Sequence, residues 1–306
     1  MQLPIVVEQL TRTYGQRRGV ADLSFQVEPG EVFGFLGPNG AGKSTTIRLL
    51  MGLIKPTSGV ARIFGLDCWD DAPAVKSFVG YLPGEIHLPD RMTGAEMLDF
   101  FGAFRNHDRR RRDELVERFG ADLRPKIGHL SKGNKQKLAV VQALMHEAPL
   151  LILDEPSSGL DPLMQAEFSE VLEEERQRGR TVFLSSHDLS EVERVADRVA
   201  IIRDGRIVAV EQVEQLARTR ERQMEVVFDQ PVRLEQFDRI QGVRLIESRR
   251  DGHVIVLGVR GNPKPLLKLL AELPVSDFTY GPPDLESIFL HYYSETPVDP
   301  AGEADR

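Results

Sequence analysis

One cysteine, Cys68, in 306 residues rules out an intrachain disulfide and fits a reducing compartment. Long apolar runs are missing as well: none approaches the roughly 18 residues that a membrane-crossing helix needs. The first residues, MQLPIVVEQLTRTYG, place no basic leader before an apolar core. The expectation is therefore no signal peptide and a soluble chain, with any membrane role exercised through a partner. Positive charge is in deficit, with 39 Lys and Arg against 47 Asp and Glu, a net −8 at pH 7. That balance argues against a nucleic-acid binder driven by overall charge, though not against a local basic site. The seven histidines show no paired zinc-type spacing. What is present is an ordinary globular composition, 41% hydrophobic and 28% charged. At about 150 residues per domain, the length suggests two domains.

The first two-thirds alternate short apolar runs with helical patterns. Glu31–Leu36, Leu150–Leu153, Thr181–Ser185 and Val199–Arg203 read as buried strands, with helices expected at Lys43–Leu53 and Pro162–Gln177. Continuous apolar strands separated by helices imply a parallel sheet covered on both faces. Ile5–Leu10 and Leu23–Val27 look half-exposed and antiparallel. A helical insertion is expected over residues 85–145. Within it, Arg109–Arg112 beside Asp108, Asp113 and Glu114 reads as a solvated helix face rather than a contact with lipid or another protein. Beyond about Gln215–Glu221 a second pattern begins. It has strands at Gln223–Phe228, Val243–Glu247, His253–Gly258 and Val275–Tyr280, and helices at Leu234–Ile240, Pro265–Leu273 and Asp284–Tyr293. The order βαββαβ suggests a small split-βαβ, ferredoxin-like domain. The expected division is 1–218, 219–294 and a disordered tail at 295–306.

The strongest motif is Gly37-Pro38-Asn39-Gly40-Ala41-Gly42-Lys43-Ser44, which fits GxxxxGK[ST] between a strand and a helix. Its glycines free backbone N–H groups for phosphate, Lys43 suits the β- and γ-phosphates, and Ser44 suits Mg²⁺. A buried strand ends in Asp154-Glu155, which puts two carboxylates where open α/β sheets bind ligands. Asp154 suits Mg²⁺, through water, and Glu155 suits polarising an attacking water. Ser131 and Gly133 precede a helix and offer an anion site from hydroxyl and backbone; read alone, Ser131 is simply an N-cap. His187 follows an apolar strand that would lie beside the one carrying Asp154.

Together these residues resemble the nucleotide-binding subunit of ABC transporters over roughly residues 3–216. Gly37–Ser44 matches the family's Walker A, Leu150–Glu155 its Walker B and catalytic glutamate, Leu130–Asn134 its LSGGQ signature, Ser158–Asp161 its D-loop and His187 its switch histidine. The resemblance implies a P-loop NTPase (RecA-like) α/β core with an antiparallel β subdomain and a helical insertion. It implies ATP and Mg²⁺ as ligands, with Tyr14 stacked on adenine, Gly37 through Ser44 and Thr45 around the phosphates, and Asp161 at the nucleotide. It further implies a head-to-tail homodimer in which Ser131 and Gly133 meet the partner's γ-phosphate, Glu155 orients water and His187 holds the γ-phosphate. A separate integral-membrane permease would be the partner, contacted by residues 85–105, and the chain would lie on the inner face of the cell membrane.

Two departures stand out. Gly84 sits where the family has a glutamine that touches Mg²⁺ and water, and Glu85 could supply an oxygen there instead. Lys132 and Asn134 replace the signature's usual Gly and Gln. Both departures, and the ending Pro282–Leu290, resemble the branch of drug and antibiotic exporter ATPases paired with type-2 permeases.

Overall fold

Alternating apolar residues make Ile5–Tyr14 (β1) and Arg17–Val27 (β2) an antiparallel pair, with Ile5 opposite Val27. The structure, a computed structural model, describes residues 2–15, 17–104, 109–214 and 221–283. The final helix expected at Asp284–Tyr293, the tail and the boundary near residue 218 lie outside them. The described chain forms two compact units, Met1–Glu211 and Gln212–Arg306.

In the first unit, Val32–Leu36 (β3) is buried at every position. Ser58–Ile63 (β4) and Leu66–Asp67 (β5) complete a four-stranded sheet in the order β2-β1-β4-β5. A second sheet carries Val79–Leu82 (β6), Leu150–Asp154 (β7), Thr181–Ser186 (β8), Arg198–Arg203 (β9) and Arg206–Gln212 (β10) in the order β10-β9-β3-β8-β7-β6. Its pairs β3–β8, β3–β9, β6–β7 and β7–β8 are parallel. Phe25 of β2 stacks on Phe33 and Phe183 at centroid distances of 5.7 and 6.0 Å, so aromatic rings join the two sheets. After β5, Trp69 is part-exposed with the Lys55 ammonium 5.9 Å from its ring centre.

The helices of this unit are Lys43–Leu50 (α1), Ala72–Ser77 (α2), Gly94–Ala103 (α3), Arg109–Phe119 (α4), Lys132–Leu144 (α5), Pro162–Gln177 (α6) and Leu189–Val195 (α7). A full capping box between Thr93 and Glu96 opens α3. Asp161 accepts from Met164 N–H at 3.0 Å and, with Pro162 next to it, starts α6.

Residues 109–112 depart from the expected solvated face. Arg109 and Arg110 are exposed, but Arg111 is only 6% exposed. Its Nη2 lies 2.6 Å from Oε1 of Glu175, a fully buried carboxylate on α6 that Arg178 also reaches at 2.9 Å. Arg118, two turns further along α4, binds Glu174 of α6 at 2.8 Å. Of the arginine run, Arg111 fastens α4 to α6, Arg112 pairs with Asp99 of α3, and Arg109 and Arg110 face water.

The second unit has Glu221–Phe228 (β11), Val243–Arg249 (β12), Val254–Arg260 (β13), Lys264–Leu270 (α8) and Val275–Pro283 (β14). The strand order is β12-β13-β11-β14, and each pair is antiparallel. The helix expected at Leu234–Ile240 is a single 3-10 turn, Leu234–Gln236. Its anchor is Phe237, fully buried 6.4 Å from Phe228, so one large ring replaces a helical face. Among the described residues no helix is long and apolar enough to cross a membrane.

Candidate functional site

The loop between β3 and α1 turns on glycines. Gly40 and Gly42 adopt φ of +83° and +111°, conformations that a side chain disfavours. A Cβ at Gly37 would stand 2.5 Å from the Ile202 carbonyl, so no larger residue fits there. Gly205, in the two-residue turn between β9 and β10, donates its N–H to Ala41 O at 2.9 Å and holds the loop from the side. Backbone N–H groups at the head of α1 are thus free to face an anion, and the residues present fit a phosphate chain.

Lys43 is 5% exposed and folds back over the loop. Its Nζ donates to Gly37 O at 2.7 Å and Pro38 O at 3.2 Å, and it lies 3.2 Å from Glu155 Oε1. Glu155 is placed by the register of β7 against β8, where Asp154 pairs with Ser185. Ser185 donates its hydroxyl to Asp154 Oδ1 at 2.5 Å, and Glu155 N–H donates to the Ser185 carbonyl at 3.1 Å and hydroxyl at 3.2 Å. Glu155 takes a φ of +49°, which turns its side chain back toward the loop. Its other oxygen lies 3.2 Å from Nδ1 of His187. Lys43, Glu155 and His187 therefore form one chain of contacts across the ends of β3, β7 and β8.

Ser44, Asp154, Glu155 and Glu85 line a cleft of about 490 Å³ beside this chain, together with Tyr81 and Gly84. Ser44 and Asp154 are the hard oxygen donors that suit Mg²⁺, which holds few protein ligands and keeps water and phosphate as the rest. Among the described residues no group of three His, Cys, Asp or Glu side chains could hold a metal. A Cβ on Gly84 would meet Asp154 Oδ2 at 3.0 Å, so the carboxylate occupies space next to the missing side chain. Burial, and secondarily the charge of Asp154, pushes the Tyr81 phenol up to about 12.

Tyr14 stands 44% exposed at the end of β1, with the Arg12 guanidinium 4.8 Å from its ring centre. Both its ring and Thr45 border Gly19, where an added Cβ would lie 2.8 Å from Tyr14 and 3.3 Å from Thr45. A flat exposed ring thus stands near α1. Ser131 and Gly133 lie elsewhere, at the head of α5. Ser131 caps that helix by accepting from Asn134 N–H at 3.3 Å, and Gly133 packs toward Gly159, just ahead of Asp161. The structure brings Lys43, Ser44, Asp154, Glu155, His187 and Glu85 together within one chain. Ser131 and Gly133 sit at the head of α5, whose Lys132 and Gln136 line a second cleft with Glu85 and Ser158.

Sequence reasoning passed over Ser185 and Gln136. Gln136 of α5 donates from Nε2 to Pro156 O at 2.7 Å and fixes the segment just after Glu155. For Ser185 a signal existed: in a parallel pair, a polar residue near the end of the neighbouring strand falls opposite Asp154.

A family model described as ABC transporter matches residues 20–158. The bacitracin transport ATP-binding protein BcrA of Bacillus licheniformis is 33% identical, covering 95% of this chain and 97% of that protein. The linearmycin resistance ATP-binding protein LnrL of Bacillus subtilis (strain 168) is 36% identical over 66% of this chain and 67% of its own length. A solved structure of an ATP-binding subunit of an ABC transporter superposes with a TM-score of 0.64 at 32% identity, covering 70% of this chain and 92% of that one. An ATP-binding cassette solved as a dimer with ADP and Pi superposes with a TM-score of 0.63 at 22% identity, over 68% of this chain and 98% of its own, which shows a shared fold.

Proposed function

Since the chain belongs to the ATP-binding subunits of ABC transporters, with a P-loop ATPase fold of mixed α/β sheets, we propose that it binds ATP with Mg²⁺, hydrolyses it as a head-to-tail homodimer and drives export through a separate membrane permease. The observation that carries this reading is the contact chain Lys43–Glu155–His187 at the mouth of the glycine loop.

Each group has work to do there. Lys43 and Glu155 neutralise one another, and a phosphate offers Lys43 a stronger partner. Moving Lys43 onto phosphate frees Glu155 Oε1 to accept a proton from an attacking water, while Oε2 stays beside His187. His187, beside Glu155, is placed to hold the γ-phosphate. Mg²⁺, when bound by Ser44 and Asp154, supplies charge neutralisation at the phosphates. Glu85 provides the oxygen that Gly84 lacks, reaching the cleft from one position on. Tyr14 offers its face to the adenine. A second copy packed head to tail would bring Ser131 and Gly133, with Asp161, to the partner's nucleotide.

The transported substrate is read as a drug, antibiotic or lipid-like molecule, because relatives carry names of bacitracin transport and linearmycin resistance. The permease would dock on a groove of about 440 Å³ lined by Leu53, Tyr81, Phe101 and Phe104, beside the exposed Phe100. That would place the chain on the cytoplasmic face of the membrane. The second unit is read as ferredoxin-like, on its strand order and the seven-residue helix Lys264–Leu270, and the domain division as 1–218, 219–294 and a tail.

Steady-state ATP hydrolysis of the full chain beside Glu155→Gln tests the reading, with oligomeric state followed in ATP. Turnover in the wild type, lost in the variant with an ATP-bound dimer, is expected. Equal rates would remove Glu155 from catalysis, and ATP binding without turnover in either would favour a gated binding subunit.

A further inference from the structure

Behind the His187 turn lies a carboxyl group that the chemistry above does not use. Glu191, in the first turn of α7, reaches back to the end of β8, where Ser186 Oγ is hydrogen-bonded to its Oε2. The Ser157 hydroxyl lies close enough to the same carboxyl to favour its charged form. Its Oε1 is closed off from solvent and has no hydrogen-bond partner. Ser186 immediately precedes His187, and Ser157 lies two positions after Glu155. One side chain therefore ties together the two segments that meet as His187 Nδ1 and Glu155 Oε2, 3.2 Å apart.

At this position in a helix, a glutamate ordinarily returns to the N–H of the capping residue. Here Asp188 N–H donates instead to Ser186 Oγ at 2.9 Å, and Ser186 Oγ lies 3.1 Å from Asp188 O. A hydroxyl has one proton to give. With that proton on Asp188 O, the contact to Glu191 Oε2 needs a proton from the carboxyl; with it on Glu191, the contact to Asp188 O goes without one. Burial raises the carboxyl above the usual range. Of the charged groups facing it, Asp188 adds to the rise and His187 opposes it, as do the two serine hydroxyls.

We propose that Glu191 is a positioning residue for ATP hydrolysis, a buried carboxyl that holds Ser186 beside the Ser157 segment and so sets the approach of His187 to Glu155. The inference rests on the hydrolytic reading above. It differs from a plain packing role because a packing role would not distinguish turnover from nucleotide affinity.

The test is steady-state ATP hydrolysis by the full chain with Mg²⁺, comparing wild type, Glu155→Gln, Glu191→Ala and Glu191→Gln. Glu191→Ala is expected to lower kcat about tenfold at a KM for ATP within about twofold of wild type, as displaced catalytic groups do. Glu191→Gln, which keeps a donor for Ser186 Oγ and an acceptor for Ser157, is expected to restore kcat to within about twofold. A Glu191→Ala enzyme with wild-type kcat overturns the proposal, and so does a Gln variant as slow as the Ala variant. If Glu191→Ala does not fold, Ser157→Ala removes one hydroxyl of the bridge and leaves α7 intact. Its kcat should then fall about threefold at unchanged KM, and an unchanged kcat overturns the proposal. A wild type no faster than Glu155→Gln would instead sink the hydrolytic reading itself.

Discussion

At the scale of single residues, the site is built from groups that hold one another until a ligand arrives. Lys43 has three oxygen partners within 3.2 Å, all belonging to the protein. Its replacement by alanine should lower ATP affinity by about a hundredfold or more, since charge-assisted hydrogen bonds of about 1.5–3 kcal/mol each are lost. Titration calorimetry with ATP checks this, and unchanged affinity would remove Lys43 from the site. Cys68 offers a quieter test. It is 2% exposed, and burial pushes its thiol up to about 12, with Asp67 adding to the shift. Because the thiolate is the reactive form, the native chain should resist alkylation at pH 8 and react once unfolded in urea. Fast labelling of the folded chain would show that Cys68 is reachable.

At the scale of elements, the union of α4 with α6 is the contact least expected from composition. Arg111, Arg178 and Arg180 converge on Glu175, whose side chain is fully buried. Burial, with the neighbouring charges of Arg178 and Arg111, lowers the pKa of Arg180, against the pull of the Glu175 carboxylate it faces. Removing that carboxylate with Glu175→Ala leaves a buried Arg111 without its main partner and should cost about 3 kcal/mol of stability. Urea denaturation measures it, and a shift below about 1 kcal/mol would mean that water reaches Arg111 readily. Four adjacent arginines look like a wet surface in sequence, because a run of charge carries no mark of the buried acid it will meet 64 residues later. The buried strands were easier. Val32–Leu36 and Leu150–Asp154 are apolar nearly throughout, Thr181–Ser186 has Val-Phe-Leu at its centre, and every position of the three strands is buried. Val79–Leu82 escaped notice because it is four residues long and contains Gly80 and Tyr81. Ser58–Ile63 and Arg206–Gln212 escaped because their polar positions break the run. The glycine loop and the Asp154-Glu155 pair were legible because phosphate binding demands particular residues at fixed spacing. Ser185, Gln136 and Glu191 were not, since their roles arise only when strands and helices far apart in sequence come together.

At the scale of the whole molecule, each unit has its own apolar centre. The first is built around Phe33, Phe35, Ile47 and Phe183, and the second around Met224, Phe228, Phe237 and Leu257. A chain of residues 1–211 should therefore fold alone and bind ATP with affinity within about threefold of the full chain. Circular dichroism with ATP titration checks this, and an unfolded fragment would show that the second unit is required for the first. The two units also differ in how they respond to light. Trp69 is the only tryptophan in the chain and belongs to the first unit. Its emission is a built-in thermometer for that unit alone, while calorimetry records heat from both. Subtracting a fluorescence melt from a calorimetric one isolates the second unit's transition without any added dye.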